Sequence, residues 1–241
     1  MNQTLFNSKL PKIVTIDGPA GAGKSTLARE LAARLAWNYL DTGAIYRAMA
    51  FTAFRRGCDP REREAAEELV RSIDLSAIPK PEGLAVLVDG EDVTAFLRSP
   101  EVSRAASIIS AWPGVRAALL GLQRALGGRG KVVAEGRDMG TVVFPEAGLK
   151  FFLHATPEIR AKRRFTELQA RGVEVTRESV LIDLLDRDEA DSSRPVAPLK
   201  PALGAIIIDS TNLGVEDVLK VMYNAFKNKF LPGAASGLLF S

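Results

Sequence analysis

Residues 18–26 read Gly-Pro-Ala-Gly-Ala-Gly-Lys-Ser-Thr, which is the pattern G-x-x-x-x-G-K-S. An apolar, β-branched run (Ile13, Val14, Thr15, Ile16) precedes it, and a helical pattern from Leu27 to Leu35 follows it. This order of strand, loop and helix is the context a phosphate-binding loop requires. Glycines let successive backbone N–H groups turn inward around a phosphate, and the next helix points its positive end at the same place. In that loop Lys24 reaches the β- and γ-phosphates and Ser25 holds Mg²⁺. The bland alternative is a glycine-rich turn that only caps a helix. It leaves the Lys-Ser pair and both flanks unexplained. The stretch therefore points to a bound nucleoside triphosphate.

The rest of the chain alternates strand and helix patterns, which predicts a parallel sheet covered on both faces. Strands are expected at 12–17, 37–40, 131–135, 149–154 and 205–209, and helices at 23–36, 43–56, 61–73, 115–126, 156–171, 177–190 and 215–226. Thr156, Pro157 and Glu158 stand in the order of cap, first-turn proline and first-turn acid. Ser99-Pro100 opens a further helix that Trp112-Pro113 breaks. Between 75 and 98 the pattern changes to β-rich runs around Asp89-Gly90, a hairpin signal, which predicts a small antiparallel insert.

Ligands of such sheets sit at the carboxyl ends of the strands. Polar residues follow each expected strand there. In the group Asp41, Thr42 and Arg47, the arginine reads either as a bidentate phosphate partner or as a surface residue behind a helix cap at Asp41 or Thr42. Gly136-Arg137-Asp138-Met139-Gly140 could bring an arginine and a carboxylate to a phosphate and a base, or form an ion pair in a surface turn. Arg160, Arg163 and Arg164 on one helix, with Arg187, Asp191 and Arg194 beyond, suit a lid that brings positive charge over a triphosphate.

Several classes are poorly served. The only histidine, His154, ends an apolar strand, where packing is the expected role, and one histidine with one cysteine builds no zinc cluster and no Ser-His-Asp hydrolase. The loop does not match the dinucleotide pattern G-x-G-x-x-G, and the guanine-switch patterns D-x-x-G and N-K-x-D are absent from the chain. A net charge of +3 argues against a nucleic-acid binder read by bulk charge. Cys58 alone forms no internal disulfide and suits a reducing compartment. The first ten residues lack a signal-peptide core, and no apolar run approaches the roughly 20 residues of a membrane span. The expectation is a cytoplasmic protein with no membrane or nucleic-acid partner.

Residues 18–26, the run Leu40-Asp41-Thr42-Gly43-Ala44-Ile45-Tyr46-Arg47, the run from Ala134 to Pro145 and the set Arg187…Asp191…Arg194-Pro195 together resemble the bacterial cytidylate kinases, over about residues 12–225. The resemblance implies an α/β, three-layer P-loop kinase with a five-stranded parallel sheet. It implies one domain over 11–230, with a nucleoside-monophosphate-binding region at 42–118 that carries the insert, a short lid at 156–195, and tails at 1–10 and 231–241. Gly18, Pro19, Ala20, Gly21, Ala22, Gly23, Lys24, Ser25 and Thr26 then form the ATP loop, with Mg²⁺ at Ser25. Arg47, Arg137 and Arg194 are implied ligands of the CMP phosphate, Ser107, Arg116 and Asp138 readers of cytosine, and Arg187 and Asp191 contacts to phosphate and ribose. Asp41 and Thr42 lie near the acceptor. The implied reaction moves the γ-phosphoryl group of ATP to CMP or dCMP. Lys24 with the lid arginines Arg160, Arg163 and Arg187 neutralises the moving group, and a monomer is expected. Glu135 departs from the pattern, since the family more often has Asp there. The rival enzyme reading is another small P-loop kinase of a nucleotide or metabolite.

Overall fold

The computed structural model describes residues 12–80, 83–128 and 130–231; the expected tails, apart from Leu231, lie outside them. Five strands form a parallel sheet: β1 (Ile13–Asp17), β2 (Asn38–Asp41), β6 (Val132–Gly136), β7 (Leu149–His154) and β8 (Ile206–Asp209), in the order β2-β6-β1-β7-β8. A second sheet is antiparallel, in the order β3 (Leu75–Lys80), β4 (Gly83–Val88), β5 (Glu91–Asp92). The turn joining β4 to β5 has positive φ at both Asp89 (51°) and Gly90 (82°), the backbone twist a tight hairpin needs. The α/β class and the antiparallel insert are thus both present.

Strand alternation divides the core. In β6 the side chain of Val133 packs with Val14, Ile16, Phe151 and Leu153 against helices α1 (Lys24–Leu35) and α8 (Val215–Phe230). Its neighbours Val132 and Ala134 face the other way. There they meet α2 (Thr42–Arg55), α4 (Pro100–Ile109), α5 (Pro113–Gly127) and the antiparallel sheet. The remaining helices are α3 (Arg63–Ser72), α6 (Pro157–Ala170) and α7 (Arg177–Ser193). The last two share a separate small core of Ala161, Leu168, Val180 and Leu184, into which Ala20 of the loop inserts. A pair of helices with its own few contacts to the main core is a ready candidate for motion. Among the described residues no single helix is long and apolar enough to cross a membrane, and the apolar faces of α4 and α5 are buried in the core.

Two local expectations need correction, and one turn was not foreseen. Thr156 occupies the cap position of α6, but its side chain makes no capping bond; its backbone N–H donates to Thr211 Oγ1 at 3.1 Å instead. Helix α7 runs to Ser193 rather than ending at 190, so Asp191 is a helical residue with a fixed direction. After β6 the chain makes a single π-helical turn, Met139–Val143, which periodicity does not signal.

Because the five core strands are parallel, their carboxyl ends share one edge of the sheet. Gly18, Thr42, Arg137, Ala155 and Ser210 each follow one of those ends.

Candidate active site

The donor loop is built by close approach. An added Cβ at Gly18 would stand 2.0 Å from the carbonyl oxygen of Leu153, so only glycine lets β1 leave the sheet beside β7. Gly23 caps α1 in the left-handed region, φ 95°, with no side-chain bond. The free N–H groups of the first helical turn therefore face the loop. Lys24 is buried and donates from Nζ to the Pro19 carbonyl at 2.7 Å. Burial and the neighbouring Arg137 guanidinium lower its pKa to about 7.

Glu135, at the end of β6, is buried beside this lysine. Tyr39 donates its hydroxyl to Glu135 Oε1 at 2.5 Å, and the Ser25 hydroxyl lies alongside both groups. Burial, then the charge of Asp41, pushes the Glu135 carboxyl up. Ser25 with this carboxylate offers hard oxygen donors. No cluster of three or more His, Cys, Asp or Glu ligands occurs among the described residues. Such a partial donor set suits Mg²⁺, which keeps waters and takes oxygens from substrate phosphates.

On the next strand end, Asp41 performs two tasks, of which the sequence offered only the helix cap. Its Oδ1 caps α2 by accepting from Ala44 N at 3.1 Å, and its Oδ2 pairs with Arg47 Nη2 at 2.7 Å. Thr42 donates to the Glu135 carbonyl at 2.7 Å. Beyond β6, Asp138 pairs with Arg116 of α5, both buried, while Arg116 also donates to the Ser110 carbonyl at 3.1 Å and lies 5.6 Å from the Tyr46 ring centroid. Arg137 donates from Nε to Asp191 Oδ2 at 2.8 Å. Arg194 stands between two carboxylates, 3.6 Å from Asp191 and 4.0 Å from Asp138, with its Nε on the Ala197 carbonyl at 2.6 Å. Burial pushes the Asp191 carboxyl up, yet Arg137 and Arg194 outweigh it and hold it below its ordinary value.

These groups line one cleft of about 890 Å³, and basic side chains outnumber acidic ones there by more than two to one. The chain as a whole is nearly balanced, so the fold concentrates positive charge at this edge. Within it, buried nitrogens of Arg47 (Nε), Arg187 (Nε) and Arg194 (Nη2) have no hydrogen-bond partner among the described residues. Burial, then Arg137, lowers the Arg187 pKa to about 10. Crowded, under-partnered guanidinium groups are suited to a polyanion with many acceptor oxygens.

The cleft brings together the loop from Ala20 to Thr26 with Asp41, Thr42, Arg47, Ser107, Arg116, Arg137, Asp138, Arg163, Arg187, Asp191 and Arg194. Gly18 and Pro19 shape the loop without lining it. Arg160 does not line it either, which corrects the expectation that it faces the moving phosphate. The residue is 4% exposed and tied at three places: Nε donates to Ala155 O (2.9 Å), while Nη1 donates to Ala20 O (3.0 Å) and pairs with Asp188 (2.6 Å). Arg160 is the tie between α6, α7 and the donor loop. Replacing it with Met should leave Asp188 mostly buried without its cation, at a cost of about 3 kcal/mol. The melting temperature should fall by roughly 10 °C. An Arg160→Met protein with unchanged melting temperature and unchanged KM for the nucleoside triphosphate would remove this role.

Other cleft residues escape sequence reasoning. Ser210, Leu213, Gly214, Val215 and Val218 line it from the segment after β8, and Arg163 is held there by Ser210, through Oγ at 3.1 Å and the carbonyl at 2.6 Å. Lys80, Leu84, Leu97 and Arg98 line it from the insert and the chain beyond. The apolar pair Leu213 and Val215, at the start of α8, was the available signal.

A five-stranded parallel sheet whose central strand feeds a phosphate loop, with a second charged set at neighbouring strand ends, defines a phosphate-loop kinase. The cytidylate kinase family model matches residues 14–228. Cytidylate kinase of Stutzerimonas stutzeri (strain A1501) is 46% identical over 223 residues, 92% of this chain and 97% of that protein. Cytidylate kinase of Geobacter sp. (strain M21) is 45% identical over 92% of this chain and 95% of its own length. A solved shikimate kinase from Acinetobacter baumannii in complex with shikimate aligns over 92% of this chain and 96% of its own, with a TM-score of 0.45 and 18% identity. The chain belongs to the cytidylate kinase family.

Proposed function

We propose that the protein transfers the γ-phosphoryl group of ATP to CMP or dCMP, giving ADP and CDP or dCDP. The observation that carries this reading, beside family membership, is the buried pair of Arg116 and Asp138 in the same cleft as the phosphate loop. Cytosine presents an amino donor next to the N3 and O2 acceptors. Asp138 accepts from the amino group, and Arg116 donates to N3 or O2, with Ser107 nearby on α4. Uracil reverses the hydrogen-bonding sense at position 4 and at N3, so the buried partners are left unmatched.

In the transfer, an anionic oxygen of the CMP phosphate forms a bond to the γ-phosphorus. The bond from that phosphorus to the β–γ bridging oxygen breaks, and the electron pair leaves with ADP. The attacking oxygen needs no deprotonation near neutral pH, which accords with a cleft that contains no histidine. Lys24 and the loop N–H groups hold the β- and γ-oxygens, while Arg47, Arg137 and Arg194 hold the acceptor phosphate. Arg163 and Arg187 supply charge from the helix pair at 156–195, acting as a lid that excludes water. Mg²⁺ held through Ser25, with Glu135 beside it, neutralises charge on the phosphates when bound. The acceptor region is 42–118, within one kinase domain at 11–230 acting as a cytoplasmic monomer.

A phosphoryl-transfer assay with ATP and Mg²⁺ across CMP, dCMP, UMP, AMP and GMP tests the reading. CMP and dCMP should be the best acceptors. Preference for any base other than cytosine would refute the assignment and favour another small P-loop kinase.

A further inference from the structure

One buried charge at the strand edge has no part in the transfer described above. Asp17 ends β1, immediately before Gly18 of the donor loop, and is 2% exposed without lining the cleft. Its two carboxylate oxygens each accept one backbone N–H: Oδ1 from Met139 and Oδ2 from Gly140, both at 2.8 Å. Met139 directly follows Asp138, and these two N–H groups open the π-helical turn after β6. The carboxylate thus spans 122 residues of chain to join the root of the phosphate loop to the root of the Arg137–Asp138 pair.

We propose that Asp17 is a positioning residue that holds the base-reading turn in register with the donor loop, so that Asp138 meets cytosine at the correct depth relative to the triphosphate. Three further features support it. An ionised carboxylate offers a separate accepting oxygen to each of the two N–H groups, whereas an amide of that size has one accepting oxygen and a donor in place of the other. Gly140 is pressed into the same contact: an added Cβ would lie 3.0 Å from both Thr15 Oγ1 and Ala202 Cβ and 3.3 Å from Asp17 Oδ2. Burial raises the Asp17 carboxyl to about 6, opposed chiefly by the bonds from Gly140 and Met139. A charge this costly to bury is retained for the two donors it satisfies.

The proposal rests on the base-reading assignment of Asp138, so the accepted nucleotide is first fixed by the wild-type substrate panel and the variants are read on it. Asp17→Asn keeps the shape but turns one acceptor into a donor facing an N–H. It should weaken binding of the acceptor nucleotide about tenfold and lower the CMP:UMP ratio of kcat/KM by a similar factor, while the Kd for ATP stays unchanged. Gly140→Ala displaces the same turn from its other side and should give the same split; it carries the test alone if Asp17→Asn does not fold. Equal weakening of ATP and acceptor in either folded variant, or an unchanged CMP:UMP ratio in both, would overturn the proposal.

Discussion

Lys24→Ala is expected to lower kcat by about 10²- to 10³-fold, the loss typical of removing one preorganised charge-stabilising donor from a transfer site. The affinity for CMP should be little affected, because Lys24 belongs to the phosphate loop and the proposed ligands of the acceptor phosphate are Arg47, Arg137 and Arg194. The structure adds a second expectation. Burial and Arg137 together lower the Lys24 pKa to about 7, so the protein itself disfavours the charged form at this place. A phosphate group beside Nζ reverses that balance, since an opposite charge at close range favours the ammonium. The substitution Lys24→Met, which keeps the volume and removes the charge, should therefore abolish turnover without lowering the melting temperature. Steady-state kinetics with CMP titration and a thermal melt check both. Undiminished kcat in Lys24→Ala would remove the lysine from the transfer.

Asp138→Ala should cut the preference for CMP over UMP by about 10- to 100-fold, the range expected for losing a hydrogen bond to a charged partner. The same substitution leaves Arg116, and Arg194 at 4.0 Å, without their shared carboxylate in a buried place. A stability loss of about 3 kcal/mol should accompany it. Asp138→Asn separates the two effects. Its amide retains an acceptor for the cytosine amino group and adds a donor that uracil O4 can use, so the CMP:UMP ratio should approach unity with a smaller drop in melting temperature. The measurement is kcat/KM for both nucleotides in the three proteins. A ratio equal to that of the wild type in both variants would remove Asp138 from base recognition.

The two sites differ in how much of them the sequence displays. Residues 18–26 are contiguous, and their conformation is set by neighbours in the chain and by glycines, so the loop is legible before any fold is known. The Asp89-Gly90 turn is equally local, and the strands it joins appear where the β-rich runs stand. Asp138 and Arg116, by contrast, are 22 residues apart and meet only because α5 packs against the π-helical turn that follows β6. Neither periodicity nor propensity reports that contact. The cap of α2 by Asp41 was visible in the sequence as one of two readings, whereas its ion pair with Arg47 was not.

The arginines of α6 show the limit most plainly. Arg160, Arg163 and Arg164 are one residue type in one amphipathic helix, and the sequence offers no reason to rank them. The structure sends Arg163 to Ser210 in the cleft and sends Arg160 inward to Ala20, Ala155 and Asp188. The sequence by itself determined the α/β class, the phosphate loop and the stock of arginines and carboxylates at the strand ends, because those are carried by local pattern. Only the tertiary structure decided which of those charges face the cleft, which tie helices α6 and α7 to the loop, and that Asp17 accepts the two N–H groups of the turn after β6. Each of those outcomes depends on a partner that the fold, not the local sequence, brings near, and a guanidinium or carboxylate is directed by the partners within reach of it.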